Sequence, residues 1–231
     1  ASTHAVRLFL TLLLIVCGAA PGRASEGAPP TVSRQLPKML DGDIFFLYDR
    51  TVHSAFVCSL DNESGFCHVG IIKFIDGVPH VITAIPEIKG YDGGRVVCEP
   101  FAKVFENPFL ERWAVFRVRE TTPAVRERAV LSALMWAIEK RPFDMAFDLA
   151  DQSKLYCTEL VWRAYQDAGV SLAKESDLRT IPMASKRVIV PATLLESDAL
   201  VLVGASFAPD PAFFVRYHVT TTPPTASVQT P

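Results

Sequence analysis

The sequence lacks the signature motifs of several large enzyme classes. It contains no GxSxG, no GxGxxG, no P-loop and no HExxH. Its five cysteines and five histidines form neither a CxxC nor a paired-histidine motif, so no structural zinc site is expected. The sequence therefore implies no nucleotide, no metal and no other cofactor.

A surplus of one charge is also lacking. Lysine and arginine number 23 against 25 acidic residues, for a formal net charge of -2. This balance predicts neither a nucleic acid nor an anionic membrane surface as partner. The 231 residues fit one domain, and the 49% hydrophobic content suits a packed core. The class of binding partner must therefore be inferred from the residues of a candidate functional site, because the net charge does not indicate it.

The N-terminal stretch has the order of a secretory signal peptide. Arg7 precedes an apolar run over residues 8–17, and small residues with a proline follow. The run is too short for a comfortable membrane-spanning helix. Cleavage after Ala20 or after Ala24 would satisfy the small-residue requirement, and with the later site the signal covers residues 1–24. Lipid attachment at Cys17 is the alternative, although the bulky residue before it fits a lipoprotein signal poorly. We expect an exported protein, periplasmic or secreted, that contacts a membrane only through such a lipid.

Four cysteines remain beyond the expected signal: Cys58, Cys67, Cys98 and Cys157. Export would place them where disulfides form. Cys58 and Cys67 flank a short polar loop, and a disulfide between them is one alternative. If Cys157 is a working thiol, three cysteines are left, so at least one more is free or pairs with another chain.

The ends of the chain differ in composition from its centre. Residues 25–40 are rich in proline, serine and small residues, which is typical of a linker. Residues 220–231 lack the apolar side chains that offset ordering entropy, so a disordered tail is expected. The folded domain is assigned to residues 41–219.

The centre has the pattern of an α+β domain. Strands are predicted over 42–48, 68–75, 78–85, 95–100, 113–119 and 198–205. The dipeptide Asp76-Gly77 between the second and third predicted strands suits a tight hairpin turn. Helices are predicted over 124–141 and from about 155 to 168. The expected architecture is an antiparallel sheet packed against a few helices.

Cys157 opens the second predicted helix. Backbone N–H groups and the positive end of the helix dipole favour a thiolate there, and the same groups suit a developing oxyanion. The alternative is a small core residue, since Cys157, Val161, Ala164 and Ala168 share one helical face. Position alone leaves both interpretations open.

His68 begins a predicted strand and is the candidate base, because the pKa of histidine lies near neutrality. A surface or capping histidine is the alternative. A two-residue hairpin turn pairs Ile75 with Val78 and Gly70 with Thr83, so His68, Gly70 and Thr83 point to one side of the sheet. Gly70 would leave space there, and the hydroxyl of Thr83 would orient the imidazole.

Several segments in this order resemble a known family. GDIFF, CHVGII, a hairpin ending in VITA, and FDMAFDLADQSKLYCTELVWRAY are similar to the permuted papain-like amidases related to YiiX and YebB, in the NlpC/P60 superfamily. The likeness runs from about Gly42 to Leu202. His68 precedes Cys157, the reverse of the ordinary papain order, as a circular permutation requires. Chain order has no chemical consequence, because catalytic groups are defined by geometry and role.

The resemblance implies a circularly permuted papain-like (NlpC/P60-type) fold and a thiol hydrolase of peptide or isopeptide amides. The expected export, and not the resemblance, adds cell-wall amides to the expected substrates. Cys157 matches the family nucleophile and His68 its base. The third, orienting residue is usually acidic in a VIEA-like segment, where this chain has Thr83. Thr83 can accept one hydrogen bond but has no charge to stabilise imidazolium. Glu87 is nearby, but its odd offset from Thr83 places it on the opposite face of an unbroken strand.

Three further residues are candidates for the substrate site. Asp144 and Asp148 fall on family-like positions and are interpreted as caps or as groups that shape the site. Tyr156 precedes the candidate nucleophile and either lines the pocket or belongs to the core or surface. Glu159 points away from the thiol on a helix, where it would be solvated or ion-paired.

Two other functions remain open. Acyl transfer or lipid-ester cleavage would use the same thiol intermediate, and ping-pong transfer to an added acceptor would reveal it. An inactive descendant that binds cell-wall fragments or a partner protein is the non-enzymatic alternative, and Thr83 motivates it. Ligand binding that survives Cys157→Ala, without turnover of the wild type, would support that reading.

Overall fold

The computed structural model describes residues 32–61, 64–87, 93–181, 186–209 and 211–217. The expected signal peptide, the first part of the expected linker and the expected C-terminal tail lie outside the described residues. Within the described part of the chain, no helix has the length and apolarity needed to span a bilayer.

In the described residues, six antiparallel strands form the main sheet. They lie at Ile44–Asp49 (β1), His68–Ile75 (β2), Val78–Ile85 (β3), Arg95–Pro100 (β4), Leu110–Val118 (β5) and Leu200–Ala205 (β8). Their order across the sheet is β4-β3-β2-β1-β5-β8. A separate hairpin pairs Arg179–Ile181 (β6) with Lys186–Val188 (β7). The sequence predicts all six strands of the main sheet with bounds that differ by a few residues, but not the small hairpin.

Five helices accompany this sheet in the described part of the chain. They lie at Val52–Asp61 (α1), Pro123–Ile138 (α2), Cys157–Asp167 (α3), Pro191–Leu195 (α4) and Pro211–Arg216 (α5), with 3-10 segments at Phe101–Glu106 and Glu175–Asp177. Helix α2 begins one residue before its predicted start, with Thr122 as its cap and proline at its first position. The α+β architecture expected from the sequence is confirmed, whereas α1, α4 and α5 are elements that the sequence pattern does not predict.

The hairpin between β2 and β3 has the expected register. Ile75 pairs with Val78, and Asp76 and Gly77 have φ angles of 50° and 78°. Two consecutive positive φ values match the twist of a tight hairpin, which is why Asp-Gly is suited to the turn. This turn sets which side chains of the two strands share a face.

Alternation along the strands divides their side chains between two faces. On one face, Val69, Ile71 and Ile82 are fully buried in a cluster with side chains of α2 and α3. On the other, Leu47 and Val81 belong to a second cluster with aromatic side chains of β1, β5 and the first 3-10 segment. We call these the helix face and the cavity face.

The chain before β1 packs on the cavity face. Leu36 and Met39 contact the apolar cluster there, and the indole N–H of Trp113 donates to the carbonyl oxygen of Ser33 at 2.8 Å. Residues 32–40, assigned from composition to a linker, are therefore part of the packed structure.

Candidate active site

A cavity of about 440 Å³ opens over the cavity face of the sheet. Cys157, His68 and Thr83 all line it, although they come from α3, β2 and β3. The N-terminal end of α3 meets the start of β2, and β3 lies beside β2. The structure thus brings together the three residues that the sequence pattern and the family resemblance propose as catalytic.

The hydroxyl of Thr83 sets the tautomer of His68. Thr83 Oγ1 lies 2.6 Å from the carbonyl oxygen of Val69 and 3.0 Å from His68 Nε2. A carbonyl only accepts, so the single hydroxyl proton is donated to Val69 and the oxygen accepts from His68 Nε2–H. In the neutral imidazole, Nδ1 is then the unprotonated nitrogen that can act as a base.

The start of α3 and the adjoining strand β2 supply donors to the thiol of Cys157. The backbone N–H groups of Val69, Thr158 and Cys157 itself point towards the sulfur and act to lower the pKa of the thiol. The N-cap residue Tyr156 makes no side-chain capping hydrogen bond, so its side chain does not compete for these N–H groups. This arrangement also suits the oxyanion of a tetrahedral intermediate.

Burial nevertheless outweighs those donors. It raises the pKa of the Cys157 thiol to about 11 and lowers the pKa of His68 to about 4. The sequence predicts a setting that favours thiolate, whereas in the folded chain both groups are held in their neutral forms. Cys157 is only 7% exposed and packs in the apolar core, yet it also lines the cavity, so the core and catalytic interpretations are compatible.

Gly70 is required for the contact between Thr83 and His68. A Cβ atom at Gly70 would lie 2.5 Å from Val81 Cγ1, 2.8 Å from the carbonyl oxygen of Ile82 and 3.1 Å from Thr83 Cβ. The space predicted at Gly70 exists, but Val81 and Thr83 fill it. Glycine allows Thr83 to lie close enough to β2 to reach both the Val69 carbonyl and the imidazole.

Asp49 is a functional candidate that sequence reasoning misses. It ends β1, lines the cavity and accepts hydrogen bonds from Thr51 and Ser54, and from Asn107 Nδ2 at 2.7 Å. Burial acts to raise the pKa of Asp49, but these hydrogen bonds together hold it below its ordinary value, so the group is ionised. Burial lowers the pKa of His68 overall, and the negative charge of Asp49 acts in the opposite direction.

The three predicted substrate-site residues do not line this cavity. Asp144 is buried and accepts from the backbone N–H groups of Ala146, at 2.9 Å, and Asp148, at 2.5 Å. Asp148 is half-buried, and its carboxylate lies 3.2 Å from Lys186 Nζ. Both aspartates shape the loop before α3, as the capping interpretation predicts.

Tyr156 is a core residue rather than a pocket residue. It is only 2% exposed, and its hydroxyl accepts from the backbone N–H of Ile189 at 3.0 Å. Its ring lies 5.1 Å from that of Phe147, measured between centroids. Two residues of the loop before α3, Met145 and Phe147, line the cavity instead of Tyr156. Asp144 holds this loop through its backbone hydrogen bonds.

Glu159 is ion-paired and fully buried. One carboxylate oxygen lies 2.7 Å from Arg163 Nε, and the other has no hydrogen-bond partner among the described residues. Burial raises the pKa of Glu159 to about 7, with Arg163 acting in the opposite direction. The sequence predicts that Glu159 is either solvated or ion-paired. The structure shows the ion pair, and Glu159 is buried away from solvent.

The remaining cysteines and Glu87 lie outside the catalytic trio. Cys58, Cys67 and Cys98 are free thiols in the structure, so the alternative disulfide between Cys58 and Cys67 is not formed. The Cys67 sulfur instead lies 2.9 Å from Ser54 Oγ. Strand β3 ends at Ile85, and Glu87 is exposed beyond it rather than beside His68.

Comparisons with known proteins identify the family and the fold of this chain. A sequence profile described as permuted papain-like amidase enzyme, YaeF/YiiX, C92 family, matches residues 38–204. The uncharacterized protein YiiX of Escherichia coli strain K12 is 25% identical over 148 residues, or 64% of this chain and 68% of that protein. The crystal structure of metalloprotein YiiX from Escherichia coli O157:H7 is similar with a TM-score of 0.56 and 21% identity, covering 71% of this chain and 96% of that one.

The structural similarity shows a shared fold, and the family profile covers both candidate catalytic residues, Cys157 and His68. The permuted papain-like fold inferred from the resemblance is thereby confirmed. The chain belongs to the permuted papain-like amidase family that includes YaeF and YiiX.

Proposed function

We propose that this protein is an exported cysteine amidase in which Cys157 attacks the carbonyl carbon of an amide and His68 is the general base. The observation that carries this proposal is the fixed tautomer of His68. Thr83 accepts the Nε2 proton, which leaves Nδ1 basic in the cavity that also contains the thiol. A Cys–His pair held in this way is the usual machinery of thiol hydrolases.

Because burial keeps both groups neutral, proton transfer accompanies attack rather than preceding it. His68 Nδ1 takes the proton of the Cys157 thiol as sulfur bonds to the carbonyl carbon. N–H groups at the start of α3 hold the oxyanion, and the imidazolium returns the proton to the leaving amine. Water, deprotonated by His68, then hydrolyses the thioester and releases the acid and the free thiol.

Asp49 supplies negative charge that Thr83 lacks. Its carboxylate lines the same cavity, is ionised and acts on the pKa of His68 from a distance. This field stabilises the imidazolium that forms during attack. Activity therefore does not require an acidic residue at position 83, which argues against the inactive-descendant alternative.

No step of this mechanism uses a metal ion. The relative from Escherichia coli O157:H7 is described as a metalloprotein. In this chain, the described residues contain no group of three or more His, Cys, Asp or Glu side chains that could hold a metal ion. The donors present near Cys157 therefore do not fit such a site.

Export rests on the N-terminal sequence. The order of Arg7, the short apolar run and the following small residues supports a secreted or periplasmic location. In that compartment, peptide or isopeptide amides of the cell wall are available substrates. Fractionation of cells that express the full chain, with N-terminal sequencing of the product, tests cleavage after residue 24.

Thiol reactivity tests the proposed dyad. We expect iodoacetamide to alkylate Cys157 faster as pH rises, and the rate near neutrality to fall when His68→Ala removes the base. Mass spectrometry of tryptic peptides assigns the label to Cys157. Cys98→Ser, which removes a half-buried thiol outside the cavity, is the matched control and should leave the profile unchanged.

Turnover of an amide library provides the second readout. Cys157→Ser should lower kcat/KM by about 10³ or more, and His68→Ala by roughly 10²–10⁴. An unreactive thiol together with no turnover by the wild type would contradict the proposal and favour the binding descendant. Ping-pong transfer to an added amine would instead identify an acyltransferase.

A further inference from the structure

Two thiols outside the catalytic trio lie together between α1 and the start of β2. Cys67 Sγ lies 2.9 Å from Ser54 Oγ. Cys58 Sγ donates to the carbonyl oxygen of Phe66, the residue directly before Cys67, at 3.8 Å. Ser54 and Cys58 are four residues apart in α1 and therefore share one face of that helix. Cys67 thus packs against the face of α1 that carries Cys58, and the two thiols are joined by a hydrogen bond.

The two thiols differ in reactivity. Their hydrogen bond lowers the pKa of Cys58 and, together with burial, raises the pKa of Cys67. Cys58 is half-buried, whereas Cys67 is only 3% exposed. Since the thiolate is the form of cysteine that reacts with oxidants, an oxidant that arrives from solvent meets Cys58 first. Cys67 then lies in place to react with the oxidised Cys58.

Cys67 connects this pair to the candidate active site. It directly precedes His68, and its backbone N–H donates to the carbonyl oxygen of Leu47 at 2.9 Å. Its side chain lines the cavity, as do those of Ser54 and Asp49, which are hydrogen-bonded to each other. A chemical change at the Cys67 sulfur therefore alters the cavity wall next to the candidate base.

We propose that Cys58 and Cys67 are a redox-active dithiol, which a hydroperoxide oxidises to a disulfide that lowers the reactivity of Cys157. The Cys58 thiolate attacks one peroxide oxygen and becomes a sulfenic acid, and the other oxygen leaves as hydroxide and takes up a proton to give water. The Cys67 sulfur then attacks the Cys58 sulfur, and a second water leaves as the disulfide forms. Two electrons pass from the thiols to the peroxide, and a dithiol reductant reverses the oxidation.

The disulfide requires movement at the cavity wall. Bonded sulfur atoms are about 2 Å apart, closer than hydrogen-bonded thiols, so the Cys67 sulfur must move from Ser54 towards Cys58. Because His68 follows Cys67 directly, we expect this movement to shift the imidazole relative to Cys157. A displacement of about 1 Å at a catalytic group is enough to slow a reaction by about 10²-fold.

Peptide mass spectrometry tests the dithiol without any turnover, in the Cys157→Ser protein. Both cysteines lie in the tryptic peptide over residues 51–73, which contains no methionine. Treatment with hydrogen peroxide should make this peptide lighter by about 2 Da and protect it from alkylation, and dithiothreitol should reverse both changes. Adding Cys58→Ser should abolish the mass loss, whereas adding Cys98→Ser, at a half-buried thiol elsewhere, should retain it. Oxygen adducts without the mass loss would overturn the proposal.

Alkylation of Cys157 by iodoacetamide tests the coupling to the site, and this part rests on the proposed function. In the wild type, oxidation of the pair should lower the alkylation rate constant near neutrality by roughly fivefold or more, with recovery in dithiothreitol. Cys58→Ser cannot form the disulfide and should keep its alkylation rate in peroxide.

The remaining outcomes separate the two proposals. An equal loss in Cys58→Ser would show that peroxide acts on Cys157 itself and would overturn the coupling, as would a disulfide that leaves the alkylation rate unchanged. A Cys157 thiol that is inert in the reduced protein would contradict the proposed function, while the mass loss of the peptide would still support the dithiol.

Discussion

The two faces of the main sheet are built by the same strands but serve different purposes. On the helix face, Val69, Ile71 and Ile82 are fully buried under α2 and α3. On the cavity face, the neighbouring residues His68 and Thr83 hold a hydrogen bond beside a cavity of about 440 Å³. Adjacent positions in one strand therefore contribute either to stability or to the candidate chemistry, because successive side chains point to opposite faces.

The largest expected difference between the two faces is the free energy of unfolding lost when a side chain is truncated. Ile82→Ala removes a fully buried side chain and should lower the free energy of unfolding by about 2–5 kcal/mol. Val97→Ala, on the cavity face, should cost less than about 1 kcal/mol, because Val97 is only partly buried beside an existing cavity. Urea unfolding measures both, and equal costs would contradict the comparison.

The pH dependence of stability should reveal the buried carboxyl of Glu159 in α3. The pKa of Glu159 is raised from 4.5 to about 7, so the folded chain binds more protons than the unfolded chain between these values. Stability contributed by protonated Glu159 is thus present at low pH and is lost as pH rises through this window, by on the order of 2 kcal/mol. Urea unfolding at pH 5 and pH 7 should show this loss in the wild type.

A matched pair of variants isolates that effect. Glu159→Gln should remove the loss between pH 5 and pH 7, whereas Glu127→Gln, on the exposed side of α2, should retain it. If wild type and Glu159→Gln have the same pH dependence, the buried carboxyl is not the cause.

On the cavity face, the hydroxyl of Thr83 should matter for activity more than for stability. Thr83→Val keeps the shape of the side chain but removes the acceptor for His68 Nε2–H, so kcat/KM should fall about 10–100-fold. Thr83→Ser retains the hydroxyl and should keep most of the activity. Equal losses in the two variants would show that shape, rather than the hydrogen bond, is what position 83 provides.

The charge of Asp49 should have the smallest effect. Asp49→Asn removes the field that raises the pKa of His68, so the acidic limb of the kcat/KM profile should move to lower pH. Less stable imidazolium should also lower the maximum by about tenfold. Asp76→Asn, at the exposed hairpin turn, is the control. A pH profile unchanged by Asp49→Asn would show that Asp49 does not stabilise the imidazolium, and Thr83 would be its remaining partner.

Much of the site was predictable because its parts depend on local patterns. The Asp76-Gly77 turn specifies the register of β2 and β3, and that register places Thr83 diagonal to His68. The position of Cys157 at a helix start was also predictable, although that position alone left a core residue as the alternative. The family resemblance joined these two separate segments into one candidate site.

Other features had no local signal. Asp49 ends a strand far from Cys157 in sequence, and only the folded chain brings it to the cavity. Tyr156 and Asp144 precede the nucleophile, but their roles depend on Ile189 and on the backbone of the loop before α3. Adjacency in sequence does not show whether a side chain faces the cavity or the core.

The amino-acid pattern alone thus specified the strands, the hairpin and the start of α3, because hydrogen bonding and alternation act between near neighbours. The order of His68 and Thr83 before Cys157 is likewise a property of the sequence. The neutral state of the dyad, the contribution of Asp49 and the apolar cavity follow only from the assembled fold. These properties depend on burial and on charges from distant segments, and burial is a property of the whole packed chain.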